Sequence, residues 1–555
     1  MNAPLAIAII WHLHQPYYRH PQTGEVALPW VRLHAAKDYL HMARLLHDYP
    51  AVRANFTLVP ALHAQLEEIA RGVDDADARL TLRAGEGELS VDERTHLLRR
   101  FFSISHHNVV ERIPDYARLL ALANSAGDRP ELLSDGYFRD LAGWFNLAWI
   151  DPELLAIDER LVQMRDRGRN FSREDLQHVL ARHRNMASGV SRLFHRLQRG
   201  GQIEVLTAPA YHAILPLLID SEAARRADPD AILPDPPFRF PEDADAQIAD
   251  AVASYEEVFR ERPRGMWPSE GAVSPEAAEA IARAGIAWFA SDEGVLARVA
   301  DVQMRRDDGG ALMEPALLYR PYRLANGTAV VFRDRELSDR IGFAYGSMPP
   351  NVAVDEMIDR LVRARERLPD EGGPYLATVV LDGENAWDGY PNNGNDFLRE
   401  LYGRLGSDER FTTVRVGEFL EANPARVALD GLHTGSWIDA SLRVWIGEPT
   451  HARAWSALAR TRQFAAEQWG TLAEMPPNVR QALLVAEGSD WFWWYSSRNS
   501  SPEDNVFDDL FRANLEVVWW SGGTEPPPEV RSSLMDPQRA PALGDAMLPG
   551  RAKRA

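Results

Sequence analysis

The sequence predicts an α/β protein whose short, buried parallel strands alternate with helices, and three observations predict it. Its apolar runs, such as Leu5 to Ile10, Ile203 to Thr207 and Tyr375 to Leu381, are brief and lack the alternation of a half-exposed sheet. Amphipathic segments with helix-start and helix-stop residues lie between them, for example Ser274-Pro275-Glu276 and Pro263. The runs also end repeatedly in acids: Glu270, Asp292, Asp334 and Asp382. Acids collecting at strand ends point to a parallel barrel or a doubly wound sheet, because catalytic groups gather at that rim.

Each element has its own signal. Leu5 to Ile10 is wholly apolar and runs into Trp11-His12-Leu13-His14-Gln15, where Pro16 stops the strand. Ala36 to Tyr49 reads as a helix and Asn55 to Pro60 as the second strand. Residues 61–198 are mainly helical and too long for one crossover, so they read as a helical insertion. Ile203 to Thr207 follows Gly200-Gly201 as the third strand, and Asp243 to Arg262 is an amphipathic helix. Gly265-Met266-Trp267 is a short strand ahead of Pro268-Ser269-Glu270, and Ala287 to Ala290 and Ala329 to Arg333 are two more. Tyr375 to Leu381 is the strand that delivers Asp382, and Phe411 to Val416 is a final short or edge strand. These signals divide the chain into a barrel over 1–404, a C-terminal helical bundle over 405–521 and a loose Pro-rich tail over 522–555.

Composition narrows the function classes. A chain of 555 residues with 45% hydrophobic residues can bury more than one core. It has no cysteine, which excludes disulfides, zinc–thiolate sites and a thiol nucleophile. A formal charge of -20 opposes nucleic acid or an anionic membrane as partner. The start of the chain lacks a basic segment, and Leu5 to Trp11 is too short to span a bilayer, so a soluble cytoplasmic protein is expected. Oligomeric state has no signal here.

The chemistry lies in two acids. Glu270 and Asp382 each follow a strand, lie close to glycine and have a Trp nearby, Trp267 and Trp387. Two carboxylates flanking one bond hydrolyse glycosides: one attacks the anomeric carbon while the other, held protonated by burial, serves the leaving oxygen. Trp267, Trp387, Trp437 and Trp491 offer faces that stack on sugars, against the plainer reading of aromatic core. His12 and His14, two apart on a strand, point to one side. Ligand contact, rim packing and metal binding all fit that pair, though a metal site lacks a neighbouring acid.

Several motifs in one order are more specific than any of these alone. His12-Leu13-His14-Gln15-Pro16, Gly265 to Glu270, Trp288 to Gly294, Leu381 to Trp387, Gly435 to Ile438 and Ala486 to Tyr495 resemble glycoside hydrolase family 57 from residue 5 to about residue 520. The nearest likeness is to its amylopullulanase-like and α-amylase-like members, which act on α-1,4 and α-1,6 glucosidic bonds. The resemblance implies an incomplete TIM-type (β/α)7 barrel with a helical C-terminal domain, retention of configuration, and neither cofactor nor metal in the chemistry. By motif, Glu270 resembles the nucleophile and Asp382 the acid/base, while His12, His14, His212, Trp267, Asp292, Trp387 and Trp437 fall where substrate is contacted. Arg335, after Phe332-Arg333-Asp334, departs from the family pattern of His there. The leading expectation is an α-glucan hydrolase. A 4-α-glucanotransferase or branching enzyme of the same family is the alternative. A metal-dependent polysaccharide deacetylase and a non-catalytic glycan binder stand further off.

Overall fold

A computed structural model describes residues 4–87 and 89–535. Seven parallel strands form its centre: β1 (Leu5–Leu13), β2 (Ala54–Leu58), β3 (Ile203–Leu206), β4 (Gly265–Met266), β5 (Trp288–Asp292), β6 (Ala329–Arg333) and β7 (Leu376–Asp382). β1 pairs with β2 on one side and β7 on the other, and β2 pairs with β3. β4 pairs with β5, β5 with β6, and β6 with β7 through Arg333 and Thr378. A parallel bridge from Thr207 to Met266 joins β3 to β4 and closes the ring. The expected (β/α)7 barrel is therefore present, its narrowest seams lying at β3–β4 and β6–β7.

β1 is buried along its whole length, as a strand covered on both faces must be. The two pleat faces enter separate cores. Ile7, Ile9 and Trp11 pack outward against the surrounding helices, while Ala6, Ala8 and Ile10 pack with Leu206, Trp267, Trp288 and Val380. Three short strands extend the ring: Tyr322–Arg323 antiparallel to β6, Val427–Ala428 beside it, and Phe411–Thr413 beside the start of β1. The first two of these carry no periodic signal and were not legible as strands.

Between β2 and β3 the chain is helical, ending in the long helix Arg173–Arg199. A capping box between Ser172 and Asp175 starts that helix. Its apolar stripe, including Leu176, Val179, Val190 and Phe194, lies against the barrel; Phe194 meets Phe56 of β2 edge-on at 4.9 Å between ring centres. The helix read from Ala36 to Tyr49 is present and begins earlier, running without a break through Trp30–His34, a π-helical Ala35–Tyr39, Leu40–Leu45 and a 3₁₀ turn Leu46–Asp48. The wider π turn carries the buried Lys37 and Asp38.

After the barrel come helices Pro449–Trp469, Pro477–Ala486, Ser489–Tyr495 and Asp504–Ser521. Buried ion pairs tie them to the rest: Arg462 to Asp243 at 2.7 Å and Arg100 to Glu503 at 2.5 Å. Gly488 bridges Ala213 in the loop after β3, which brings the start of helix Ser489–Tyr495 to the barrel mouth. The Pro-rich stretch is not wholly loose. Residues 522–535 include a short helix, Pro528–Arg531, and bury Val530 and Leu534; the remainder of the stretch, 536–555, lies outside the described residues. No helix among the described residues is long and apolar enough to cross a membrane.

Candidate active site

The site is built at the C-terminal mouth of the ring. Asp382 is the last residue of β7, and the strand register sets it directly beside His12 of β1. The turn that follows is tight: Gly383 donates its N–H to the His12 carbonyl at 2.8 Å, and a Cβ there would lie 2.3 Å from Leu13. Only glycine fits. Asn385 donates to Asp382 Oδ2 at 3.2 Å.

Glu270 follows β4 in a backbone turn with φ of 59°, a left-handed conformation that costs a non-glycine residue about 1–2 kcal/mol. Gly271 continues at φ 60°, and a Cβ on it would meet the Trp267 ring at 2.8 Å. The turn is held from outside. Val273 and Gly435 exchange backbone hydrogen bonds, Trp437 donates its backbone N–H to the Glu270 carbonyl at 3.0 Å, and its indole Nε1–H donates to Glu270 Oε2 at 2.6 Å.

Three histidines lie beside this pair. His12 Nε2 and His212 Nε2 are 3.0 Å apart, His14 stacks on His212 at 3.8 Å, and His212 Nδ1 meets Ser489 Oγ at 2.9 Å. His14 Nε2 bonds Asp490 at 2.9 Å. Burial, reinforced by the neighbouring imidazoles, holds His12 and His212 well below the usual histidine range, so both are neutral rings. The Nδ1 atoms of His12 and His14 are buried and have no partner among the described residues. The neutral His12 ring, with a spare polar atom, suits hydroxyl-rich, uncharged substrates.

His14, His212 and Asp490 are also the described residues whose donors lie close enough to share a metal ion, within 4.8 Å of one another. The same Nε2 and carboxylate atoms also bond one another and His12.

Electrostatics couples the acids. Burial pushes the Glu270 carboxyl up to about 8, with the Asp382 and Asp490 charges adding to it and the Trp437 N–H opposing it. Burial also raises Asp382, against Asn385, His14 and Arg333, which favour its charged form. Glu384 is held well above the carboxylate range by burial and by Asp382. The pair therefore keeps a proton through neutral pH, and titration belongs to the pair rather than to one residue. Trp437 can only donate, so its contact favours the ionised form of Glu270 and opposes the upward shift.

Several sequence expectations meet different surroundings. Trp437 is half-buried and touches Glu270, but Trp267, Trp387 and Trp491 are at most 2% exposed and present no ring face to solvent. Trp267 lies beneath the site, 6.3 Å from His12 and 5.3 Å from Trp437 between ring centres. Trp387 packs on Trp11 and donates to the Gly383 carbonyl at 2.8 Å, bracing the turn behind Asp382. Trp491 donates to the Val485 carbonyl at 2.7 Å within the helical bundle. These three are scaffold rather than sugar platforms. Asp292 is fully buried and closed off by two arginines: Arg333 Nη1 at 3.1 Å and Arg335 Nη2 at 2.5 Å. Arg335, the departure from the family pattern, thus spends its charge on Asp292. The sequence reading missed Asp490, Ser489, Arg333 and Asn385 as site residues. Asn385 lay in the quoted Asp382 motif and Ser489-Asp490 in the aromatic one, so motif membership was the available signal.

A model of glycosyl hydrolase family 57 matches residues 8–430. The chain is 29% identical over 197 residues to a 1,4-alpha-glucan branching enzyme of Thermococcus kodakarensis, an alignment spanning 32% of this chain and 25% of that protein. Among solved structures, a GH57-type branching enzyme from Pyrococcus horikoshii superposes with a TM-score of 0.58 at 16% identity, covering 98% of this chain and 99% of the other. The α-amylase AmyC of Thermotoga maritima superposes with a TM-score of 0.56 at 16% identity, covering 94% and 97%. At such identity these two likenesses concern the fold. The chain belongs to glycosyl hydrolase family 57, whose members are glycoside hydrolases or transferases acting on α-glucans.

Proposed function

We propose that this protein is a retaining α-glucan hydrolase of the amylopullulanase-like kind, with Glu270 as nucleophile and Asp382 as acid/base. The observation that carries this reading is the pair itself: two partly buried acids at the barrel mouth, both carboxyls raised, Glu270 by the Asp382 charge as well as by burial, with an indole N–H on Glu270. Glu270 attacks the anomeric carbon as the glycosidic C–O bond breaks, and Asp382 protonates the departing oxygen. In the second step Asp382 takes a proton from water, which attacks the same carbon and releases Glu270. The motifs taken together, from residue 5 to about 520, support the amylopullulanase-like assignment; the neutral rings of His12 and His212 supply contacts for sugar hydroxyls.

The same two acids carry out transfer when a glucan hydroxyl replaces water. The sequence likeness to a branching enzyme favours this second reading. Chromatography of products from amylose and from pullulan decides between them. Reducing ends released from both, with maltotriose from pullulan, is the expected result. New branches or longer oligosaccharides without reducing-sugar release would assign transfer instead. A crystal structure is expected to show the two carboxyl groups about 5–5.5 Å apart, the retaining distance; a spacing wide enough to hold a water would contradict the mechanism.

A further inference from the structure

Asp292 was expected at the substrate, yet it has no exposed surface and every contact it makes is to protein. Its Oδ1 accepts the Gly294 N–H at 2.8 Å and the Arg335 guanidinium, and its Oδ2 accepts Arg333 Nη1 at 3.1 Å. Arg333 is the last residue of β6. Its Nε donates to the Val380 carbonyl of β7 at 2.7 Å, so it spans the thinly paired β6–β7 seam. The same guanidinium lies 5.2 Å from the centre of the Trp437 ring, in cation–π contact. Trp437 in turn holds Glu270 through both its backbone and its indole N–H. A continuous line of contacts thus runs from Arg335 through Asp292, Arg333 and Trp437 to the carboxylate. Space confirms how closely the outer end is fitted: a Cβ on Gly294 would lie 2.5 Å from the Arg335 side chain.

We infer that Asp292 is a positioning residue for the Glu270 carboxylate, acting through Arg333 and the Trp437 ring rather than by touching sugar. Arg335 is the outer clamp of the same device. The inference rests on the assignment of Glu270 as nucleophile. Its physical content is twofold. Asp292 fixes where the Arg333 guanidinium sits, and so where the indole points. Together with Asp339 it also compensates the Arg333 charge, which acts on Asp382. The other groups that bear on the pair are Asp490 and Trp437 for Glu270, His14 and Asn385 for Asp382, and the three imidazoles together with Glu384 alongside. Of these, only Trp437 is reached by changing Asp292 or Arg335, through Arg333.

The test compares pH profiles of kcat/KM on an aryl maltooligoside for Asp292→Asn, Arg333→Met and Arg335→Met. Asp292→Asn leaves Arg333 with Asp339 as its remaining carboxylate partner, so less of its charge is compensated and the alkaline limb should move to lower pH. It should also lower kcat about tenfold with KM little changed, since positioning acts on the reacting carboxylate. Arg333→Met removes the positive charge, so its limb should move to higher pH. If Arg333→Met does not fold, Arg335→Met serves: freeing Asp292 of one cation should shift the limb upward by a smaller amount. Limbs unmoved, or moving together, with activity lost only in proportion to the folded fraction, would overturn the inference. Glu270→Gln in the same assay separates the failures. If it stays active, the nucleophile assignment falls; if it is inactive while the limbs do not move, the positioning role alone falls.

Discussion

The two walls of the mouth hold their acids by different physics. On the Glu270 side the carboxylate sits on a left-handed turn after a two-residue strand, with little local pairing to define it. An indole donor backed by an arginine and a buried acid supplies the definition from distant chain. On the Asp382 side the acid ends a seven-residue strand in register with β1, and the turn beyond it is fitted by Gly383 and braced by Trp387. Backbone geometry places Asp382; side-chain chemistry places Glu270. The general lesson is that a carboxylate at the end of a well-paired strand needs few polar partners, whereas one on a strained turn depends on them.

The largest effects should break both walls alike. Glu270→Ala and Asp382→Ala should each lower turnover on natural glucans by about 10³-fold or more. With azide present, Glu270→Ala should give a glycosyl azide of inverted configuration and Asp382→Ala one of retained configuration. Exchanged stereochemistry, read by NMR of the product, would reverse the two roles.

The next effect should touch one wall. Trp437→Phe keeps a ring but removes the donor to Glu270, a contact to a charged group worth about 1.5–3 kcal/mol. A loss of kcat of roughly 10–100-fold is expected. Unchanged kcat in folded protein would mean that the strained turn holds Glu270 without help.

Acidity sharpens the contrast further. The folded Glu270 carboxyl titrates near 8, above its ordinary value of 4.5. The raised value means that its burial costs nothing below about pH 4.5 and progressively more as pH rises through 8. Glu270→Gln does not titrate, so its melting temperature should gain on the wild type as pH rises from 5 to 9. Equal melting curves across that range would show that Glu270 is solvated in solution. The same proton sets activity: kcat/KM should fall above about pH 8, where the pair loses its last proton.

The smallest effect on activity belongs to the scaffold. Trp387→Phe should lower stability by about 1–3 kcal/mol, measured by denaturant unfolding, while KM changes less than twofold. A large KM change with normal stability would return Trp387 to the sugar-binding class.

Much of the barrel was legible because buried parallel strands write themselves as short apolar runs, and six of the seven ring strands were located to within about two residues, β1 alone running three residues further than its apolar run. The π turn around Lys37 and the two-residue strand Tyr322–Arg323 left no periodic trace, since one or two residues cannot carry a period. Glu270 and Asp382 were singled out because each follows a strand with glycine and tryptophan close by; Asp292 and Asp334, also at strand ends, cap helices instead.

What the sequence determined by itself is therefore the alternation of strands and helices and the family. What only tertiary structure decided is which rings and charges surround that pair. A tryptophan reads the same in sequence whether its face meets sugar or core, and Trp267, Trp387 and Trp491 proved to be core. Asp490 comes 476 residues after His14, and Trp437 comes 167 after Glu270. Such contacts depend on chain closure and packing, which no local pattern of residues encodes.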